Sequence, residues 1–247
     1  DHAQLLPAFQ ARQTVMKTAA LVSRHPALRS LRVKAIGALI VGLHLSMPAL
    51  AASQDDLFNA AKLGDAKEIA QEVARGADPN LADAAGNTLL ITAAREEQPK
   101  VVAELIKQRG IKLDARNAAG DSALMLASLR GYNEVVELLL KAGAQFNHDG
   151  WNPLLYAAFE GRVGIVEMLL AKGANPDALA PNRSTPLMFA ARNGHEDVVV
   201  RLLKAGANVD LKNDQNETAD SWAAKYRNTD IAELIQAERK ARAGRAK

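Results

Sequence analysis

The sequence predicts an all-α solenoid of stacked helix-turn-helix units, and three observations carry that prediction. One motif is written four times between Gly86 and about Asp214, starting at Gly86, Gly120, Gly150 and Arg183, a spacing of 30 to 34 residues. Each copy holds two short apolar runs at helical spacing. Turn residues separate the runs and follow them. A period of this size means a supersecondary unit that cannot bury its apolar face alone and must stack on copies of itself. Stacked repeats present a long surface and rarely a catalytic cleft, so the period already bears on function.

The fourth copy justifies each element in turn. Ser184-Thr185-Pro186 opens its first helix, with Thr185 as the side-chain cap and Pro186 in the first turn, where a missing N–H costs little. Leu187, Ala190 and Ala191 form a face of small residues that lets neighbouring repeats approach closely. Asn193-Gly194 ends the helix, because glycine accepts a positive φ cheaply. Val198, Val199, Leu202 and Leu203 then form the buried stripe of a second helix. Gly206 stops that helix, and Ala207-Asn208-Val209-Asp210 leads into an extended finger. The copies GNTLLITAAREEQPKVVAELIKQRGIKLDARN, GDSALMLASLRGYNEVVELLLKAGAQFN and GWNPLLYAAFEGRVGIVEMLLAKGANPDA follow the same plan.

The pattern resembles the ankyrin repeat, G-x-T-P-L-H-x-A-A-x-x-G-H-x-x-V-V-x-L-L-L-x-x-G-A-D-x-N. Thr185-Pro186-Leu187, Ala190-Ala191, Gly194-His195, Val198-Val199, Leu202-Leu203 and Gly206-Ala207-Asn208 all fall in register. Weaker copies flank the four. Asp56-Leu57-Phe58, Ala60-Ala61, Gly64-Asp65 and Gly76-Ala77-Asp78-Pro79-Asn80 read as an N-terminal repeat. Asn216-Glu217-Thr218, Ala223-Ala224 and Ile231-Ala232-Glu233-Leu234-Ile235 read as a polar C-terminal cap. The resemblance implies an ankyrin-repeat solenoid of about six units with β-hairpin-like finger loops, a domain over 52–238. Repeats are expected near 55–83, 84–116, 117–146, 147–179, 180–212 and 213–238.

Two departures from the family pattern carry expectations. The histidine of T-P-L-H is replaced by Ile91, Met125, Leu155, Met188 and Ser221, so rigidity is expected to rest more on apolar packing. The second copy is short, with Phe146-Asn147-His148-Asp149-Gly150 replacing a longer finger, so that loop is expected to be trimmed.

Residues 1–51 lie outside the array. Lys17, Arg24, Arg29, Arg32 and Lys34 precede the apolar run AIGALIVGLHLSMPALA, which ends in Ala49-Leu50-Ala51. A basic region, an apolar region and an A-x-A site are the parts of a secretory signal peptide, here 16–51 with cleavage after Ala51. An uncleaved anchor is the alternative, but the run is shorter than the roughly 20 residues of a spanning helix and holds His44 and Pro48. Residues 1–15 precede Met16 and read as a non-native upstream extension, the alternative being a start further upstream.

That division changes the charge argument. The whole chain carries 31 basic and 28 acidic residues, net +3. Residues 1–51 hold six of the basic and one of the acidic residues, which leaves 25 against 27, net −2, for the remainder. A nucleic-acid partner therefore loses its support, since such binding needs a concentrated basic footprint. The basic tail 239–247 reads as a frayed, solvated helix end, with contact to an anionic surface as the alternative. The chain has no cysteine, so an exported array must hold by packing alone. A periplasmic location is expected, or secretion, with no membrane contact after cleavage and a monomeric state.

Catalytic and metal chemistry find little support. Beyond Ala52 the histidines are His148, expected to be exposed, and His195, read as the structural Gly-His residue of the repeat. Two histidines without cysteine fall short of a zinc site and exclude a Cys-His nucleophile. Asp78, Asn80, Asp114, Asn117, Asn208 and Asp210 recur because the finger turns need them. No enzyme activity, cofactor or metal is expected.

In the ankyrin family a protein partner lies on the concave side, formed by finger tips and first helices. Carried over by register, the variable slots are Asn87, Arg95 and Glu96; Asp121, Leu129 and Arg130; His148, Asp149, Trp151, Phe159 and Glu160; Ser184, Arg192 and Asn193; Lys225 and Tyr226. Only 4% of the chain is aromatic, so Trp151, Tyr156 and Phe159 in one repeat stand out. Aromatic residues and Arg are enriched in binding hot spots. A hot spot on Trp151 and Phe159 is expected, ringed by Arg130, Glu160 and Arg192, while Tyr156, Phe189 and Trp222 pack between repeats. The resulting function is a non-enzymatic protein-binding module. The alternatives are a secreted effector acting on a host protein and an envelope-tethered structural protein.

Overall fold

The computed structural model describes residues 53–245, so the expected upstream extension and signal peptide lie outside the described residues. Twelve α-helices fall into six antiparallel pairs among the described residues. The pairs are α1 (Gln54–Leu63) with α2 (Ala66–Ala74), α3 (Leu89–Arg95) with α4 (Pro99–Leu105), and α5 (Ala123–Arg130) with α6 (Asn133–Lys141). They continue with α7 (Pro153–Phe159) and α8 (Val163–Ala171), α9 (Pro186–Asn193) and α10 (Glu196–Lys204), and α11 (Ala219–Lys225) and α12 (Thr229–Arg245). One isolated antiparallel bridge, between Ala82 and Thr88, is the β-structure of the fingers among the described residues.

Five of the six first helices start at a side chain that satisfies an otherwise orphaned N–H. Ser53, Thr88, Ser122, Asn152 and Thr185 accept from the backbone N–H three residues on, at 3.0–3.3 Å. Such a cap contributes about 1 kcal/mol. Gly194 closes α9 in the left-handed region at φ 78°, as its place in the motif predicts.

First helices pack on first helices and second helices on second, and the first-helix layer is the closer of the two. The small-residue pairs allow that approach: Ala93-Ala94, Ala127-Ser128, Ala157-Ala158 and Ala190-Ala191 are all fully buried. Val101, Val102, Leu105, Val135, Val136, Leu139, Ile165, Val166, Leu169, Val198, Val199 and Leu202 form the parallel stripe of the second layer. Burying side chains of this size contributes roughly 1.5–3 kcal/mol each.

The slot of the absent histidine is apolar and buried in four copies, at Ile91, Met125, Leu155 and Met188. Polar ties between repeats come from elsewhere. Asn80 accepts from the Lys112 N–H at 2.8 Å, Asp114 from Gln145 at 2.7 Å, Asn147 from Asn175 at 3.0 Å and Asp177 from Asn208 at 2.7 Å. Asp78 and Asn208 do serve their own turns, as the sequence reading has it. Asn80 and Asp114 instead bond the following repeat, because each finger lies beside the next one's backbone.

A second tie recurs just before α8, α10 and α12. Arg162 Nε donates to the Leu129 carbonyl at 3.2 Å, His195 Nε2 lies 3.0 Å from the Phe159 carbonyl, and Asn228 donates to the Ala191 and Arg192 carbonyls at 2.9 and 2.8 Å. These carbonyls end first helices, where no partner is available within the helix. Three residue types in one register slot thus do the same work, and His195 has its expected structural role.

The connection 142–152 is eleven residues long against fourteen for 172–185, so the finger after α6 is trimmed as expected. Its His148 is half-buried rather than exposed, with Nδ1 3.1 Å from the Asp149 carbonyl oxygen. The C-terminal reading needs a larger correction. Helix α12 continues to Arg245, and Arg239 and Arg242 are bonded into the preceding repeat. Cations there neutralise buried carbonyls and Asp220 instead of fraying into solvent.

Candidate protein-interaction face

The ends of the first helices and the adjoining finger residues bring together most of the residues singled out in the sequence. Trp151 stacks on Tyr156 at a centroid distance of 5.1 Å and on Phe189 at 5.2 Å, with Phe159 edge-on at 6.5 Å. Phe159 meets Phe189 at 5.7 Å, and Phe189 meets Trp222 at 5.9 Å, both near-perpendicular. The Arg192 guanidinium lies over Trp222 at 5.4 Å and over Tyr226 at 4.7 Å. One aromatic row therefore runs through the fourth, fifth and sixth repeats. Tyr156, Phe189 and Trp222 are buried and pack between repeats, whereas Trp151 and Phe159 are half-buried and Tyr226 is 44% exposed.

The row is ordered by geometry and not by area alone. Ring pairs at these distances contribute about 0.5–1.5 kcal/mol beyond burial, and an exposed cation–π contact about 0.5–1 kcal/mol. Glu217 accepts from Lys225 Nζ at 2.6 Å and from Trp222 Nε1, which fixes the last ring. Burial pushes the Glu217 carboxyl up, but hydrogen bonds from Lys225, Trp222 and Asn213 outweigh that and hold it below its ordinary value.

Other expected residues are placed differently. Leu129 is only 7% exposed and adds little surface. Arg130 is half-buried and its Nε–H has no hydrogen-bond partner. Arg95 Nε pairs with Glu96 at 3.0 Å, and Glu160 lies 3.7 Å from Arg162. Asp149 is exposed on the trimmed finger. The Asn193 amide donates to the Phe159 carbonyl at 2.8 Å, so its polar group is committed within the array.

Asn87, Asp121 and Ser184 are buried and correct the expectation that residues beside the turn glycine are variable surface. Asn87 donates to Asp83 and accepts from Asn117 at 2.9 Å, and Asp121 accepts from the Tyr156 hydroxyl at 2.7 Å. These side chains face the next repeat because they precede the helix cap. The sequence reading placed Trp222 between repeats with Tyr156 and Phe189, but missed Arg162 as an organiser of the face. Its signal was positional: Arg162 occupies the slot of His195.

Nothing in this arrangement assembles a nucleophile, a base and an oxyanion site. No group of three or more His, Cys, Asp or Glu suited to a metal ion occurs among the described residues. No helix among them is long and apolar enough to cross a membrane.

The family model for ankyrin repeats in three copies matches residues 57–149, 112–180 and 174–244. This chain belongs to the ankyrin-repeat family. The crystal structure of the ankyrin repeat domain of Bcl-3, a member of the IkappaB family, superposes with a TM-score of 0.65 at 30% identity, covering 72% of this chain and 81% of that one. Mouse protein phosphatase 1 regulatory subunit 27 is 35% identical over 95 residues, 37% of this chain and 62% of the relative. The mouse B-cell lymphoma 3 protein homolog is 32% identical over 113 residues, 43% of this chain and 25% of the relative. A fission yeast (Schizosaccharomyces pombe) protein, glycerophosphocholine phosphodiesterase gde1, is 33% identical over 120 residues, 47% of this chain but 10% of its own length. This chain therefore spans less than two thirds of each of these curated relatives. The ankyrin fold is typically a non-enzymatic scaffold for protein interaction.

Proposed function

We propose that this ankyrin array is a non-enzymatic module of the bacterial periplasm that binds a protein partner through the first-helix and finger face. The observation that carries the reading is the row from Trp151 and Phe159 to Arg192 and Tyr226, in which rings and a guanidinium stay ordered at the surface. Ordered aromatic and Arg side chains lose little entropy on binding and are the residue types that dominate interface energetics. Arg95, Arg130, Asp149 and Glu160 complete the contact surface around that row, whereas Leu129 is buried and Asn193 is spent within the array. The phosphatase regulatory subunit and the Bcl-3 homolog among the relatives support recognition of protein, and the leader-like segment 16–51 supports export.

The test is a pull-down of native envelope extract with the full chain and with a Phe159→Ala/Tyr226→Ala variant. Phe159→Ala keeps the backbone carbonyl that Asn193 and His195 use, so the stack is preserved. A periplasmic protein retained by the native chain and lost by the variant is the expected result. Equal retention by both would remove the face from the account. N-terminal sequencing of the exported protein should begin at Ala52; an intact leader would replace the periplasmic module with a tethered one.

A further inference from the structure

The charges on this face are not balanced. Arg95 is paired with Glu96 and Arg162 with Glu160, but among the described residues neither Arg130 nor Arg192 is in ion-pair contact with a carboxylate. Both arginines occupy the last turns of their helices, where cations suit the macrodipole. That accounts for their sign and leaves their hydrogen-bonding edges unused. Stacking on Trp222 and Tyr226 holds the Arg192 plane while its N–H edge remains available for a planar acceptor.

Resting on the interaction face proposed above, we propose that its ligand is an extended peptide segment with an apolar centre flanked by two carboxylates, which meet Arg192 and Arg130 while the centre lies on Phe159 and Trp151. The spacing follows from the stack. Arg130 ends α5 and Arg192 ends α9, with α7 between them. Packed helix axes lie about 8–10 Å apart, so the helix ends that carry the two arginines are separated by roughly 20 Å. An extended chain rises about 3.3 Å per residue, which places the two acidic side chains about six residues apart. Carboxylate is the matching chemistry because a guanidinium offers paired donors to both of its oxygens.

The experiment is fluorescence anisotropy of labelled nine-residue peptides against the full chain. One peptide has Glu at two positions six apart around a Leu/Phe centre, and its control has Gln at both. The Glu peptide should bind at least about tenfold tighter, and that advantage should vanish in an Arg130→Gln/Arg192→Gln variant and shrink as salt rises. Equal binding of the two peptides, or an advantage that survives the arginine changes, overturns the proposal. If both peptides then lose affinity in Phe159→Ala/Tyr226→Ala, the face stands and only its acidic preference falls. If neither peptide responds to that variant, the face itself is wrong.

Discussion

Arg239 holds Asp220 in a two-point pair, with one terminal nitrogen 3.0 Å from Oδ2 and the other 2.8 Å from Oδ1. The same guanidinium reaches Asp210 at 2.7 Å and the Val209 carbonyl at 2.8 Å. The last helix is thereby fastened to the finger of the fifth repeat, an arrangement that seals the open end of a stack. Hydrogen bonding from Arg239 lies behind an Asp220 carboxyl held far below its ordinary value of 3.8.

That pair makes the C-terminal cap acid-sensitive. A carboxyl with a depressed folded pKa is protonated first in the unfolded chain, so its contribution is complete above about pH 4 and is lost as pH falls further. Protection factors of α12 amides, corrected for intrinsic exchange, should fall progressively below pH 4. Asp220→Asn should cost about 2 kcal/mol at neutral pH and flatten that dependence. Protection factors in α12 that stay constant as pH falls from about 4 to about 2 in the native chain would contradict the assignment.

Ser128 is fully buried in a slot that holds alanine in the neighbouring copies, and its hydroxyl has no partner. Ser128→Ala should therefore stabilise the array by about 1 kcal/mol, seen in thermal unfolding as a rise of roughly 2–4 °C. A lower Tm would mean that the hydroxyl makes an interaction that matters.

Gly161 has φ 68°, and a methyl group there would fall 2.6 Å from His195 Nδ1. Gly161→Ala should destabilise by about 1–3 kcal/mol from backbone strain and this clash together. In a His195→Ala background the penalty should shrink to the strain alone. Equal penalties in the two backgrounds, measured by urea unfolding, would remove the contact from the explanation.

The repeat period, the caps and the second-helix stripes were legible because helical spacing and turn chemistry are local properties of the chain. Thr185, Pro186 and Gly194 do what their residue types demand. What stayed hidden depends on stacking partners about 30 residues away. Nothing local shows that Asn80 spends its side chain on the Lys112 backbone, or that Asn193 spends its own on Phe159. The basic tail misled for the same reason: Arg239 and Arg242 look like solvated charge until the finger beneath them is in place. On the face, Trp151 and Phe159 were visible as rare aromatics and Tyr156, Phe189 and Trp222 as packing residues, whereas the stacking that joins them into one row emerges only when three repeats are stacked.

Site-specific photo-crosslinking tests the central claim most directly. A photoreactive phenylalanine analogue would replace Tyr226 on the first-helix face, or Arg201, which is exposed on α10 and pairs with Glu167 of the second-helix layer. Incubated with native envelope extract, position 226 should capture a protein that position 201 does not. Capture at 201 with none at 226 would place the partner on the opposite layer and contradict the account.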